Sequence, residues 1–256
     1  MKLLSPISKM LTCSLLIAGA LFGGSVLAAG GGALPYGYEA DVGNLPSVQR
    51  GAKYFMAYCS GCHSMQYMRY SRVAQDLQIP EEMLQANLMF TSDKIGDTIV
   101  SAMPKEKGKE WFGQLPPDLT LETRARGEDW VYSYLKSFYV DPARPLGVNN
   151  LVLAGASMPH VLWELQGWQV PATHEHDEGG EDSHGGHDDP FEIVQAGSLE
   201  PRDYDKFVGD LVNFMAYAAE PGRSARQALG VKVLVYLFVL LGFAFLLKKE
   251  YWRDVH

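Results

Sequence analysis

The stretch ALGVKVLVYLFVLLGFAFLL, Ala228 to Leu247, constrains this chain more than any other, because twenty consecutive residues carry a single charge, Lys232. As a helix rising about 1.5 Å per residue it would measure about 30 Å, the thickness of a bilayer's hydrocarbon core. Charged residues flank it on both sides, which suits a membrane span better than a buried core helix. Lys232 lies near the start of the run, where its long stem can carry the amine to the headgroups. Lys248, Lys249 and Arg253 follow at once and place the tail in the cytoplasm, although Arg223 and Arg226 on the other flank weaken that vote.

The N-terminus decides the orientation. MKLLSPISKMLTCSLLIAGALFGGSVLAAG opens with Lys2 and Lys9, runs apolar from Met10 to Leu27 and reaches small residues at Ala28 and Ala29. That is the three-part layout of a secretory signal, with an uncleaved N-terminal anchor as the alternative. The expected organisation is a signal peptide at 1–28, an exported domain at 29–222, a hinge and transmembrane anchor at 223–247 and a cytoplasmic tail at 248–256. The chain would be a single-pass protein of a bacterial inner membrane, in contact with its lipid, with its bulk on the periplasmic side.

Composition narrows the partners. Apolar residues make up 47% and charged residues 20%, so the exported part is neither disordered nor membrane-embedded. The formal charge is -8, and losing residues 1–28 removes two lysines and no acid, leaving -10. An acidic chain excludes nucleic acid as a natural partner and suits a basic protein. Three cysteines are too few for a disulfide framework.

Within the exported part, residues 29–46 are rich in Gly and Pro and read as an extended lead-in. Ser47 is the expected N-cap of a helix through VQRGAKYFMAYC, with Val48, Ala52, Phe55 and Cys59 on one face. Residues 81–90, 127–139 and 203–226 also carry the helical period, the last with Phe207, Leu211, Phe214 and Ala218 on one stripe, broken at Pro221 and Gly222. Strand signals are scarce, so the fold class is mainly α. Residues 171–190, PATHEHDEGGEDSHGGHDDP, hold four of the seven histidines among acids and no basic residue; they read as a surface loop. Their spacing matches no ordered ligand set.

Cys59-Ser60-Gly61-Cys62-His63 carries the chemistry. A C-x-x-C-H sequence is the attachment site of c-type haem. Two thiols three residues apart on a helical turn face the same way and can add to the two vinyl groups of one porphyrin, and the next residue aims its imidazole at the iron. A thioredoxin-like dithiol would follow a strand, and a zinc site would need a second Cys or His pair at finger spacing. One covalently bound haem c is therefore the expected cofactor.

Iron held by one histidine needs its other face explained. Left open, it binds a gas or a substrate; closed by a thioether, it carries electrons at raised potential. Met103 and Met158 both precede proline. Met103 sits in a lysine-rich polar segment, whereas Met158 follows NNLVLAGAS, whose small residues let backbone approach a flat cofactor. The local text favours Met158; His160 is a third possibility.

At this point the sequence resembles the cytochrome c1 family, the haem subunits of ubiquinol–cytochrome c oxidoreductase (the cytochrome bc1 complex). QRGAKYFMAYCSGCHSMQYMRYSR is similar to the family's haem-binding helix, LPPDLTLETRARGEDWVYSYL to its Pro-Pro-Asp-Leu segment and the arginine-containing stretch beyond, GASMPHVLWE to the segment bearing the axial methionine, and YAAEPGRSARQALGVKVLVYLFVLL to its hinge and anchor. Residues 71–113 match poorly, and the His/acid loop looks like an insertion. The resemblance implies a c-type cytochrome-like haem domain with Cys59 and Cys62 as thioether sites and His63 and Met158 as iron ligands. It also implies Arg126 beside a haem propionate, with Arg124 able to trade places with it, and Trp130 on the same side. It implies an electron carrier with no catalysis of its own, in a complex with a cytochrome b subunit and a Rieske iron–sulfur subunit, passing electrons to a cytochrome c. The alternatives are an anchored cytochrome subunit of another oxidase or reductase, and a haem-based sensor with an open sixth site.

Overall fold

Two helices that lie far apart in sequence form the centre of the molecule. In the computed structural model, which describes residues 34–172 and 189–253, α1 (Leu45–Tyr58) packs along α8 (Pro201–Ala219). Val48, Ala52, Phe55 and Cys59 are all buried, as their spacing predicts, and Phe55 meets Phe214 with ring centroids 5.7 Å apart. Each such apolar side chain removed from water contributes about 1.5–3 kcal/mol. The backbones touch at Gly51, where a Cβ would lie 1.9 Å from the Asp210 carbonyl oxygen, so no other residue fits without moving one helix.

A polar pin locks this crossing. Asp210, buried, takes both Nε and a terminal nitrogen of Arg50 at 2.6 and 2.7 Å and the Ser47 hydroxyl at 2.5 Å. Asn213 donates to Ser47 Oγ at 2.8 Å and accepts from the Asp41 amide at 2.9 Å. Ser47 therefore serves the helix interface and not the helix end. The N-cap is Asn44, whose side chain accepts from the Ser47 amide at 3.3 Å, so the expectation for Ser47 is corrected by three residues. Ser47 is buried against α8, where its hydroxyl is worth more to Asp210 than to the cap.

The remaining elements are short and are stacked around this pair. They run β1 (Met65–Arg69), α2 (Tyr70–Asp76), α3 (Glu81–Leu88), β2 (Thr98–Ile99), α4 (Lys105–Phe112), α5 (Glu122–Arg126), α6 (Glu128–Lys136), β3 (Phe138–Val140), β4 (Val148–Asn150), α7 (Trp163–Gln166), β5 (Gly167–Pro171) and β6 (Phe191–Ala196). The strands form three separate antiparallel pairs, β1–β2, β3–β4 and β5–β6, so the molecule is mainly α with small β clips. The helical reading of 127–139 holds only to Lys136: Phe138–Val140 pairs with Val148–Asn150 instead, because the aromatic Phe138 and Tyr139 find a partner strand across a short turn.

α9 (Arg223–Tyr251) follows α8 after Glu220–Gly222 and is unlike every other element. Its 29 residues have a mean hydropathy of 2.4 over the most apolar window, and none is buried in the chain. It is the one helix among the described residues that is long and apolar enough to cross a membrane. The signal reading for 1–28, residues 173–188 of the His-rich loop and the last three residues lie outside the described residues.

Candidate functional site

α1 ends in a turn that gathers the reactive residues. The Phe55 carbonyl accepts from the amides of both Cys59 and Ser60, at 2.8 and 3.0 Å, which stops the helix. The Cys59 carbonyl then accepts from Cys62 and His63, at 3.0 and 2.8 Å, and winds the chain back on itself. Ser60 ties its hydroxyl to the Met56 carbonyl at 2.8 Å. Two thiols and an imidazole are thus carried by one hydrogen-bonded turn rooted in the α1–α8 core. Neither Cys59 nor Cys62 forms a disulfide; burial pushes the Cys59 thiol up to about 12 and raises Cys62 as well.

The segment from Leu115 to Thr120 orients the imidazole. Leu119 donates its amide to the Ser64 carbonyl at 2.9 Å, and Asp118 accepts from the Gln66 amide at 2.8 Å and the Thr120 amide at 2.9 Å. This docking brings the Pro117 carbonyl 2.8 Å from His63 Nδ1. A carbonyl only accepts, so Nδ1 holds the proton and Nε2 keeps its lone pair. Burial holds His63 below its ordinary value, with the Pro117 bond working the other way, which favours the neutral ring.

The turn opens on a cavity of about 490 Å³ with mainly apolar walls. Its lining includes Cys59, Cys62 and His63 from the turn after α1, Ala156 and Met158 from the loop after β4, and Arg126 and Trp130 from α5 and α6. All five sequence-predicted site residues, Cys59, Cys62, His63, Met158 and Arg126, line this one space. Met103 does not; its sulfur lies against Gly108. His160 does not either: it is buried flat on Phe138, with ring centroids 5.3 Å apart, and burial lowers it to about 4. Arg124 lines a separate small cavity beside α8 and Arg223.

Arg126 spends its Nε on Glu122 at 2.9 Å and lays its guanidinium 4.3 Å from the centre of the Trp130 ring. That leaves its terminal nitrogens as donors at the cavity edge. The methionine wall depends on residues the sequence reading passed over. Asn150 is buried and donates to the Tyr134 carbonyl at 2.8 Å, while its Oδ1 accepts from Val152 and Leu153 at 2.9 and 3.1 Å. Asn149 accepts from the Gly155 amide at 2.8 Å. The doublet Asn149-Asn150 therefore holds both the start and the middle of the loop bearing Met158; two adjacent amides before a Gly-containing turn were the available signal. Met215 also reaches the cavity from α8.

The donor set fits a covalently held haem: two thiols and a neutral imidazole on one wall, a thioether on the other, apolar faces between them and a guanidinium at the rim. The family model described as the Cytochrome C1 family matches residues 41–167 and 194–255. The cytochrome c1 of Allochromatium vinosum is 50% identical over 233 residues, covering 91% of this chain and 94% of that protein. A protein of Nitrosomonas europaea named ammonia monooxygenase gamma subunit is 44% identical over 84% of this chain and 86% of its own length. A solved chain titled hyperthermophilic respiratory Complex III superposes with a TM-score of 0.45 at 16% identity, covering 97% of this chain and all of that one.

Proposed function

The chain belongs to the cytochrome c1 family, and from that premise we propose that it carries one haem c in the cavity and serves as the electron-transfer subunit of a quinol–cytochrome c oxidoreductase. In this reading it accepts one electron from a Rieske iron–sulfur protein and passes it to a cytochrome c, beside a cytochrome b subunit, with the haem domain on the periplasmic side. It is a carrier and not a catalyst with a substrate of its own. The observation that supports this most directly is the meeting, in one apolar cavity, of the Cys59–His63 turn and the thioether of Met158.

Bound haem supplies one-electron chemistry at its iron. The chain supplies the rest. Cys59 and Cys62 would hold the group by thioethers, and their turn would fix its tilt relative to α1. His63, with Nδ1 tied to Pro117, would offer Nε2 to the iron, its basicity raised by that hydrogen bond. Met158 would supply a thioether as the second iron ligand, which would exclude gas and raise the potential. The free nitrogens of Arg126 would meet a propionate in a forked pair. With both ligands rooted in hydrogen-bonded backbone, little has to move when the charge changes. The acidic exported surface would steer a basic partner, with a rate that falls as salt rises.

The test is an optical spectrum of the reduced, haem-loaded protein beside Met158→Leu and Met215→Leu, with and without carbon monoxide. The expected result is a low-spin wild type inert to carbon monoxide, a Met158→Leu variant that binds it, and a Met215→Leu variant like wild type. Carbon monoxide binding by the wild type would overturn the carrier reading in favour of a sensor. Purification from membranes with a b-type haem and an iron–sulfur protein tests the assembly separately.

A further inference from the structure

Tyr134 stands one helical turn beyond Trp130 on α6, and its hydroxyl lies 3.6 Å from the Met158 sulfur. We infer that Tyr134 is a positioning residue for the electron-transfer site: its hydroxyl donates to the Met158 thioether and sets the sulfur's orientation and its strength as a ligand. This deepens the reading above and rests on Met158 as the second axial ligand.

The geometry leaves the hydroxyl little choice. Tyr134 is half-buried at an apolar cavity, and the sulfur is its hydrogen-bond partner among the described residues. Its ring is fixed on both sides, stacked on Trp130 at 5.1 Å with planes 7° apart and edge-on to Phe138 at 5.1 Å. Its backbone is fixed as well, because the Tyr134 carbonyl accepts from Asn150, the same side chain that caps the start of the Met158 loop. Donor and acceptor thus share one anchor, and although they stand 24 positions apart they do not drift independently. If the ring merely filled space, phenylalanine would do the same work; the hydroxyl is the part that needs a reason.

A thioether sulfur has two lone pairs, so one can bind iron while the other accepts an O–H. Such a donor draws electron density from the sulfur and sets the positive end of its dipole near the metal. Both effects disfavour the oxidised iron relative to the reduced, so the contact raises the reduction potential.

The experiment is a redox titration of the full-length, haem-loaded protein as wild type, Tyr134→Phe, Met158→Leu and the double variant. Tyr134→Phe is expected to stay low-spin and inert to carbon monoxide, to show a displaced methionine-to-ferric charge-transfer band, and to shift the potential downward. In the Met158→Leu background the same change should produce no further shift, since the acceptor is gone. An unchanged potential and band in Tyr134→Phe would overturn the inference, and so would an equal shift in both backgrounds, which would mean a general effect of the cavity wall. If Met158→Leu itself leaves the spectrum and the potential as in wild type, the ligand assignment fails first, and Tyr134 with it.

Discussion

The two walls of the cavity are built by opposite strategies. The cysteine–histidine wall is local: Cys59, Cys62 and His63 sit within five residues, on a turn that closes its own hydrogen bonds and grows out of a helix whose inner face is fully buried. The methionine wall is assembled at a distance. Met158 stands on a loop with no regular structure of its own, held by Asn149, Asn150 and the Tyr134 hydroxyl. The first wall inherits the stability of the core; the second depends on a few side-chain hydrogen bonds. For an electron carrier this division would have a use: thioethers at Cys59 and Cys62 would place the group, while the softer side could be tuned without disturbing placement.

Damage to the core should erase the difference. Gly51→Ala drives a methyl into the Asp210 carbonyl and must separate α1 from α8. Overpacking there is expected to cost about 3 kcal/mol or more, enough to lose haem-loaded protein from the membrane fraction. Recovery of normal amounts with a wild-type urea midpoint would show that the local wall does not depend on the helix crossing.

Asn150→Ala should act on one wall only. It leaves the Tyr134 carbonyl with the Ser137 amide alone, at 3.3 Å, and takes the partner from two loop amides, at an expected cost of about 1–3 kcal/mol, read as a lower urea midpoint. Haem should remain attached while carbon monoxide reactivity appears, because the thioether is no longer held. Loss of covalent attachment in this variant would mean that the two walls are coupled.

Met158→Leu sharpens the comparison further. A volume-conserving swap at a half-buried site should cost less than about 1.5 kcal/mol of stability, yet it should open the sixth position completely. A large spectroscopic change with a nearly unmoved denaturation midpoint is the signature of a wall that tunes rather than supports.

The smallest effect is a pH dependence on the core side. Burial, with Asp210 close by, pushes the Tyr38 phenol up to about 12, and its hydroxyl lies 2.9 Å from both the Gly209 carbonyl and Asn213 Oδ1. The folded value lies above the unfolded value of 10, so the contribution is complete below pH 10 and is lost as pH rises from there to about 12. Urea midpoints across that range should fall less steeply for Tyr38→Phe than for wild type.

Much of the molecule was readable from residues alone, and the readable parts share a property. The α1 face, the α8 stripe, the membrane span and the C-x-x-C-H turn are all repeats or spacings shorter than a few helical turns, where geometry follows from neighbours in the chain. The misreadings lay where a distant partner outbid a local preference. Ser47 is a good cap residue, but Asp210 from α8 claims its hydroxyl; Phe138 and Tyr139 continue a helical period, but Asn149 and Asn150 offer a strand. Met215 lies off the α8 stripe that the sequence marks, and only the fold turns it toward the cavity.

The sequence by itself determined what the chain can attach and where it must be inserted, because thioether spacing and a twenty-residue apolar run are properties of adjacent residues. Only the tertiary structure decided which methionine faces His63's cavity, which arginine reaches its rim and which carbonyl orients the imidazole. Those choices bring together residues 54 to 95 positions from His63, and no local pattern encodes which ends of a loop will meet. Burial of the α1–α8 interface makes the decision, and the site forms in the space that this crossing leaves.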